Sequence, residues 1–303
     1  MILTITPNPA VDQTIEMDED LEPDVVQRST GAQFDSGGNG INVSQFLRAL
    51  DHDTVATGIV GGFTGYFITE DLKDYDVPTD FIEIDEPTRM NTTILVPDSE
   101  YKLNQSGPEI DPSVVDDLIE TLREHDPSMI NIGGSLPPGM DVDDVDRIAA
   151  AGDWETAVDI HGELLPELDE TYEYCKPNRE ELSAALDMEV ETIDDCAEAA
   201  RQLHEMGYER VLASMGAEGA VLITPDKTLF APALDVDIVD TVGAGDSMFA
   251  GLLWAYEQGW SDERALRAGV ATSSKLVSVK GPSIHELDPE ATMDDVRVWS
   301  MMN

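Results

Sequence analysis

The chain has 303 residues, 41% of them hydrophobic, enough for one large α/β domain or two smaller ones around a real core. Sixty-three acidic residues against 17 basic ones give a formal net charge of −46, which argues against a general nucleic-acid binder because phosphate backbones would be repelled. No stretch reaches the roughly 18 consecutive apolar residues of a membrane span. No basic and then apolar leader opens the chain, and two cysteines (Cys175 and Cys196) are too few for a disulfide framework, so a globular cytoplasmic protein with reduced thiols and no membrane partner is expected.

The acids are spread along the chain. Short clusters such as Met17-Asp-Glu-Asp20 and Thr192-Ile-Asp-Asp195 lie between regularly spaced apolar segments, which points to a folded protein with an acidic coat. The pattern suits a high-salt cytoplasm, where counterions screen self-repulsion.

In chain order, the strand candidates are Ile2 to Thr6, Val55 to Val60, Met129 to Ile132, Ala157 to Ile160, Tyr172 to Cys175 and Arg210 to Ser214. Helical spacing appears between them, as in Val43, Phe46, Leu47 and Leu50, and later in Met248, Leu252 and Ala255. The alternation predicts an α/β fold with a mainly parallel sheet flanked by helices, whose ligand sites lie at the carboxyl ends of strands. Val11 to Phe34 and Thr88 to Ser106 break the alternation and read as antiparallel strands, the second pair turning at Pro97-Asp-Ser-Glu100. The expected organisation is a core of residues 1–10, 35–87 and 107–303 with a small antiparallel β lid of residues 11–34 and 88–106. Such a lid excludes water from transfer chemistry.

Several loops at strand ends carry candidate chemistry. Asp12 follows the first strand, where a carboxylate can bind sugar hydroxyls or be an ordinary solvated acid. Gly37-Gly-Asn-Gly40 opens an amphipathic helix. Asn178 and Glu181, in Lys176-Pro-Asn-Arg-Glu-Glu181, face the same way and fit either a hydrated Mg²⁺ or a capping box. Ser214-Met-Gly-Ala-Glu-Gly219 fits close approach to a nucleotide or a tight turn into another strand. The strongest segment is Asp240-Thr-Val-Gly-Ala-Gly-Asp246: two glycines before an apolar helix let amides approach a phosphate, and Asp246 stands where it can accept a proton. The competing interpretation of this segment is a turn with an acidic cap. No Walker sequence or dinucleotide fingerprint is present.

Thr6-Pro-Asn-Pro-Ala-Val-Asp12, Gly37-Gly-Asn-Gly-Ile-Asn-Val43, Gly134-Ser-Leu-Pro-Pro-Gly139, the Lys176 segment, the Ser214 segment and the Asp240 heptad together resemble, in order, the ribokinase-like (PfkB) carbohydrate kinases. The likeness is strongest to the 1-phosphofructokinase and tagatose-6-phosphate kinase branch, through N-P-A-x-D, G-x-N-V and Thr88-Arg-Met-Asn91. It implies ATP-dependent phosphorylation of a ketohexose phosphate, foremost fructose 1-phosphate to fructose 1,6-bisphosphate. The alternatives are tagatose 6-phosphate, fructose 6-phosphate or another sugar as substrate, or a non-catalytic sensor. It further implies that Asp246 is the general base and that the amides of Gly243, Ala244 and Gly245 form the anion hole. Asp12, Gly38, Asn42, Arg89 and Ser135 match sugar-phosphate positions, and Lys176, Asn178, Ser214, Gly216 and Gly219 match ATP positions. Asn178 and Glu181 match the Mg²⁺ motif, and some relatives bind K⁺ around positions matching Asp240 and Val242. Lids of similar kinases often pair in a homodimer, for which Ile94 and Val96 offer apolar faces. One departure stands out: Asn39 replaces a frequent lysine, removing a phosphate-binding cation for which Arg28 or Lys102 would have to compensate.

Overall fold

The computed structural model describes residues 1–279 and 286–301, so positions 280–285 and 302–303 of the expected core lie outside the described residues. The chain begins with β1 (Ile2–Thr6), all five residues buried, then β2 (Ala10–Glu16) and β3 (Gly31–Gly37). Next come α1 (Asn39–Ala49), β4 (Thr54–Gly61), α2 (Gly62–Asp74), β5 (Ile82–Ile84), β6 (Arg89–Val96) and β7 (Ser99–Leu103). There follow α3 (Pro112–His125), β8 (Met129–Gly133), α4 (Val142–Ala149), β9 (Glu155–Asp159), β10 (Tyr172–Cys175), α5 (Arg179–Leu186), α6 (Ile193–Glu205) and β11 (Tyr208–Ser214). The last part contains β12 (Ala220–Ile223), β13 (Thr228–Ala231), α7 (Ala244–Glu257), α8 (Asp262–Val277), α9 (Glu290–Met293) and β14 (Trp299–Ser300).

The six expected strands are β1, β4, β8, β9, β10 and β11. They form the parallel centre of a sheet ordered β14-β13-β12-β11-β10-β9-β8-β1-β4-β5. The parallel run continues to β5, whereas β12, β13 and β14 add an antiparallel edge that the apolar runs did not single out. Their shortness hid them, since β12 and β13 have four residues each, and β14 has two.

Burial on both faces explains the near-continuous apolar strands. One face packs Leu118, Leu122, Ile148, Leu182 and Leu203 from α3 to α6, and the other packs Phe46 and Leu47 of α1 against Phe249, Leu253 and Leu266 of α7 and α8. The helical faces expected at Val43, Phe46 and Leu47 and at Met248, Leu252 and Ala255 are accordingly buried. Close approach in the sheet demands Gly58, at φ 141°: a Cβ there would lie 2.0 Å from the carbonyl oxygen of Thr6, its register partner on β1.

Many acids serve backbone roles. Thr192 and Asp195, in one of the acidic clusters, form a reciprocal capping box at the start of α6, as do Asp141 and Asp144 at α4. Among the described residues, the non-glycine positions with positive φ are all aspartates: Asp24, Asp51, Asp76, Asp126 and Asp187. Asp126 and Asp187 are the left-handed C-caps of α3 and α5, a place where a glycine or asparagine is usual and where an anion opposes the helix dipole.

The segments that break the alternation build a second sheet, ordered β3-β2-β6-β7. Its outer pairs are antiparallel, as expected, but β2 and β6 in the middle run parallel, because each leaves the main sheet in the same direction after β1 and β5. Its strands also extend past the expected limits, to Ala10 and Gly37, which pair in register at the junction with α1.

Candidate active site

Four segments that are distant in sequence converge at the carboxyl ends of β1, β9, β10 and β11. The strand-to-helix turn before α7 is left-handed at Gly243 (φ 74°), after which Asp246 falls in the first helical turn and is buried. Asn42 on α1 donates from Nδ2 to Asp246 Oδ2 at 2.7 Å. Lys176, which follows β10, is also buried, and its Nζ lies 3.1 Å from Asp159 Oδ1. The same ammonium packs over Gly245, where an added Cβ would meet Nζ at 3.3 Å. Glycine at 245 therefore leaves room for a cation beside the helix entrance.

Burial pushes the Asp246 carboxyl up to about 6. Lys176 and the Asn42 hydrogen bond work against this shift, while Asp159 and Glu181 add to it. Lys176 is held above its usual range: burial would lower it, but Asp159, Asp246 and Glu181 outweigh that cost. The result is a buried acid that titrates near neutrality, the property a general base needs.

Asp159 was not singled out from the sequence, although it lies within the strand candidate Ala157 to Ile160 and ends β9. It is 2% exposed, and its second oxygen accepts from Asn39 Nδ2 at 3.0 Å. Asn39 thus occupies the expected lysine position as a neutral donor that helps hold Asp159. Neither cation expected to compensate stands out: Lys102 pairs with Glu100 at 2.8 Å on the exposed β7, and Arg28 lies in the exposed segment between β2 and β3.

Asn178 and Glu181 form the capping box of α5. Asn178 Oδ1 accepts from the Glu181 amide, and Glu181 Oε2 accepts from the Asn178 amide, each at 2.8 Å. Burial, then Asp159, raises the Glu181 carboxyl. Among the described residues no group of three or more His, Cys, Asp and Glu side chains is arranged around a metal position. The hard oxygens of Glu181 and Asn178 still suit Mg²⁺, which keeps waters and phosphate oxygens as most of its ligands.

Ser214, Gly216 and Gly219 make the turn from β11 to β12, which is the tight-turn interpretation of that segment. Ser214 and Gly216 line a cleft of about 470 Å³ with Lys176, Asn178, Glu181 and the 243–246 turn. Gly219 lies behind it, with φ 108° and no room for a Cβ beside Ala231 and Pro232. The adjoining apolar cavity, about 520 Å³, is lined by Leu234, Val236, Ile238, Val270 and Val277. These residues had no motif to mark them. Of the three amides expected in the anion hole, that of Ala244 donates to the Thr241 carbonyl at 3.2 Å. Asp240 Oδ1 accepts from the Val242 amide at 3.0 Å, and the Val242 side chain is exposed.

At the second sheet, Asn91 donates to Asp12 Oδ1 at 2.9 Å. Burial against this sheet raises the Asp12 carboxyl despite Asn91 and Arg89, although the residue keeps an open edge. Arg89 donates from Nε to the Asn8 carbonyl at 3.1 Å and from Nη1 to the Gln105 carbonyl at 3.2 Å. Asn8, quoted in the first motif but given no role there, donates from Nδ2 to Ser106 O at 3.0 Å and to Ser135 Oγ at 3.1 Å. It ties the root of the second sheet to the Ser135 turn. Gly38, at φ 129°, packs on Thr6, where a Cβ would meet Cγ2 at 2.5 Å.

Of the apolar positions expected on the outer sheet face, Ile94 is half-buried and borders a cavity of about 680 Å³ with Ile15, Leu21, Val25 and Tyr101. Val96, two residues further along β6, is buried and is not available to a partner; Leu95, Tyr101 and Leu103 are exposed nearby. No helix among the described residues is long and apolar enough to cross a membrane.

Residues 6–288 match the family described as pfkB family carbohydrate kinase. The chain is 53% identical over 292 residues to the 1-phosphofructokinase of Haloferax volcanii, covering 96% of each protein. It is 35% identical over 302 residues to the D-tagatose-1-phosphate kinase of Bacillus licheniformis, covering 96% of this chain and 98% of that one. Its fold superposes on phosphofructokinase-2 from Escherichia coli, solved in complex with potassium, with a TM-score of 0.86, 28% identity and 97% coverage of both chains. The α/β fold with its second sheet is thus the ribokinase-like one that the motif order implied, and the chain belongs to the pfkB family of carbohydrate kinases.

Proposed function

We propose that the enzyme transfers the γ-phosphoryl group of ATP to the free primary hydroxyl of a ketohexose 1-phosphate, foremost converting fructose 1-phosphate to fructose 1,6-bisphosphate. The observation that carries the chemistry is the buried Asp246, raised to about 6 and oriented by Asn42 in the first turn of α7. The two relatives named for 1-phosphorylated ketohexoses support the substrate.

Asp246 takes the hydroxyl proton while the amides of residues 243–245 receive charge developing on the transferred group. Removing one such donor costs roughly 3–4 kcal/mol in comparable sites. The Ala244 amide shares or exchanges its Thr241 bond when it does so. Asp159, Glu181 and Asp246 place several carboxylates around one ammonium, so Mg²⁺, held through Asn178 and Glu181, would supply the charge that lets phosphates enter. The apolar cavity beside the cleft takes the nucleobase. The backbone near Asp240 and Val242 is the proposed K⁺ position, supported by the potassium complex of the bacterial neighbour.

The second sheet acts as the lid, residues 11–34 and 88–106 in outline, with the core in 1–10, 35–87 and 107–303. Asp12, Gly38, Asn42 and Ser135 face the sugar, and Arg89, anchored at Nε and Nη1, offers its remaining guanidinium hydrogens to the phosphate already on the substrate. The apolar cavity on the lid supports a homodimer formed through it, which size-exclusion chromatography of a Tyr101→Asp variant tests. The acidic coat supports a high-salt cytoplasm as the working environment.

The substrate assignment is tested by coupled initial rates in high KCl with fructose 1-phosphate, tagatose 1-phosphate, tagatose 6-phosphate, fructose 6-phosphate and free fructose. The 1-phosphates are expected to give the highest kcat/KM. A preference for a 6-phosphate or free sugar would overturn the assignment.

A further inference from the structure

We propose that Arg179 binds the terminal phosphates of the nucleotide and that Glu218 holds it in reserve, so that their ion pair is a latch across the phosphate cleft. This rests on the ATP-dependent reading above. Arg179 is the first residue of α5, and Glu218 lies in the turn from β11 to β12; Nη2 lies 2.7 Å from Oε1. The backbones on either side are already joined, because the Ser214 amide donates to the Pro177 carbonyl at 3.0 Å. Opening the side-chain pair therefore leaves the framework in place.

Three observations point to a phosphate. Lys176 and Arg179 are the only cations among the described residues lining the cleft, and Lys176 is buried and committed to Asp159. The Arg179 Nε is buried without a hydrogen-bond partner, leaving an unsatisfied donor that a phosphate oxygen would satisfy. Glu218 is about half exposed, so releasing it to water costs little, and a Cβ at Gly216 beside it would meet nothing within 4 Å. The planar guanidinium suits a bidentate contact that a lysine cannot reproduce.

The experiment measures KM for MgATP and for sugar phosphate, and calorimetric affinity for ADP and AMP, in wild type, R179A, R179K, E218Q and R179A/E218Q. Thermal unfolding in high KCl serves as a folding check. R179A should raise the MgATP KM about tenfold, as loss of a charge-assisted contact implies, with R179K recovering only part and the sugar-phosphate KM unchanged. Because Glu218 competes with phosphate, E218Q should lower the MgATP KM, and this gain should vanish in the double variant. ADP binding should weaken in R179A and AMP binding should not. If R179A and E218Q raise KM alike, or if neither moves it, the pair is structural and the proposal fails. A wild type without ATP-dependent turnover would instead refute the functional reading itself.

Discussion

Asn42 Nδ2 and Asp246 Oδ2 stand 2.7 Å apart, a bond that joins the first turns of α1 and α7, 204 residues apart in sequence. It is the main hydrogen bond opposing the burial that raises the Asp246 carboxyl. Asp246→Asn should lower kcat by about 10²- to 10⁴-fold while leaving ATP affinity within a few-fold of wild type. Steady-state rates and calorimetric titration check both.

The pH dependence has a definite sign. A base must be ionised, so kcat/KM should be flat above neutrality and fall as pH drops through about 6. Asn42→Ala removes a bond that favours the ionised carboxylate and should move this acid limb to higher pH. A limb that stays in place in the Ala variant would separate it from Asp246.

Arg89→Lys keeps a charge but loses the fork that grips Asn8 and Gln105 and that, in the proposed function, also meets the substrate phosphate. It should raise the sugar-phosphate KM by about tenfold or more, with the ATP KM unchanged. Activity on free fructose, if detectable, should be indifferent to the change.

The acidic coat reaches the ends of the helices. Asp126→Gly and Asp187→Gly relieve left-handed strain and remove an anion from a negative helix terminus. Each should raise the unfolding midpoint by about 1–2 °C in dilute buffer and by less in molar KCl, where the charge term is screened. The wild type itself should gain stability steadily along a KCl series.

Gly58→Ala should be far more severe, since its Cβ would occupy the Thr6 carbonyl position and force β1 from β4. A loss above about 3 kcal/mol is expected, read as a fall in the unfolding midpoint or in soluble yield.

Much of this site was legible because glycines, prolines and acids mark strand ends in a fixed order. The six central strands were visible as apolar runs, and Asp246, Lys176 and Asn178 could be placed from their motifs. The parallel pairing of β2 with β6 was not, because alternation reveals a strand but not its partner's direction. Asp159 was hidden as one acid among 63, and only its burial beside Lys176 and Asn39 distinguishes it. Leu234, Val236 and Val277 become neighbours through folding alone.

The most direct measurement is ³¹P NMR of fructose 1-phosphate and MgATP in high KCl, with wild type and Asp246→Asn in parallel. The wild type should build up fructose 1,6-bisphosphate and ADP in equal amounts, and the variant should show almost none over the same period. No bisphosphate from the wild type, or equal rates in the two proteins, would contradict the account.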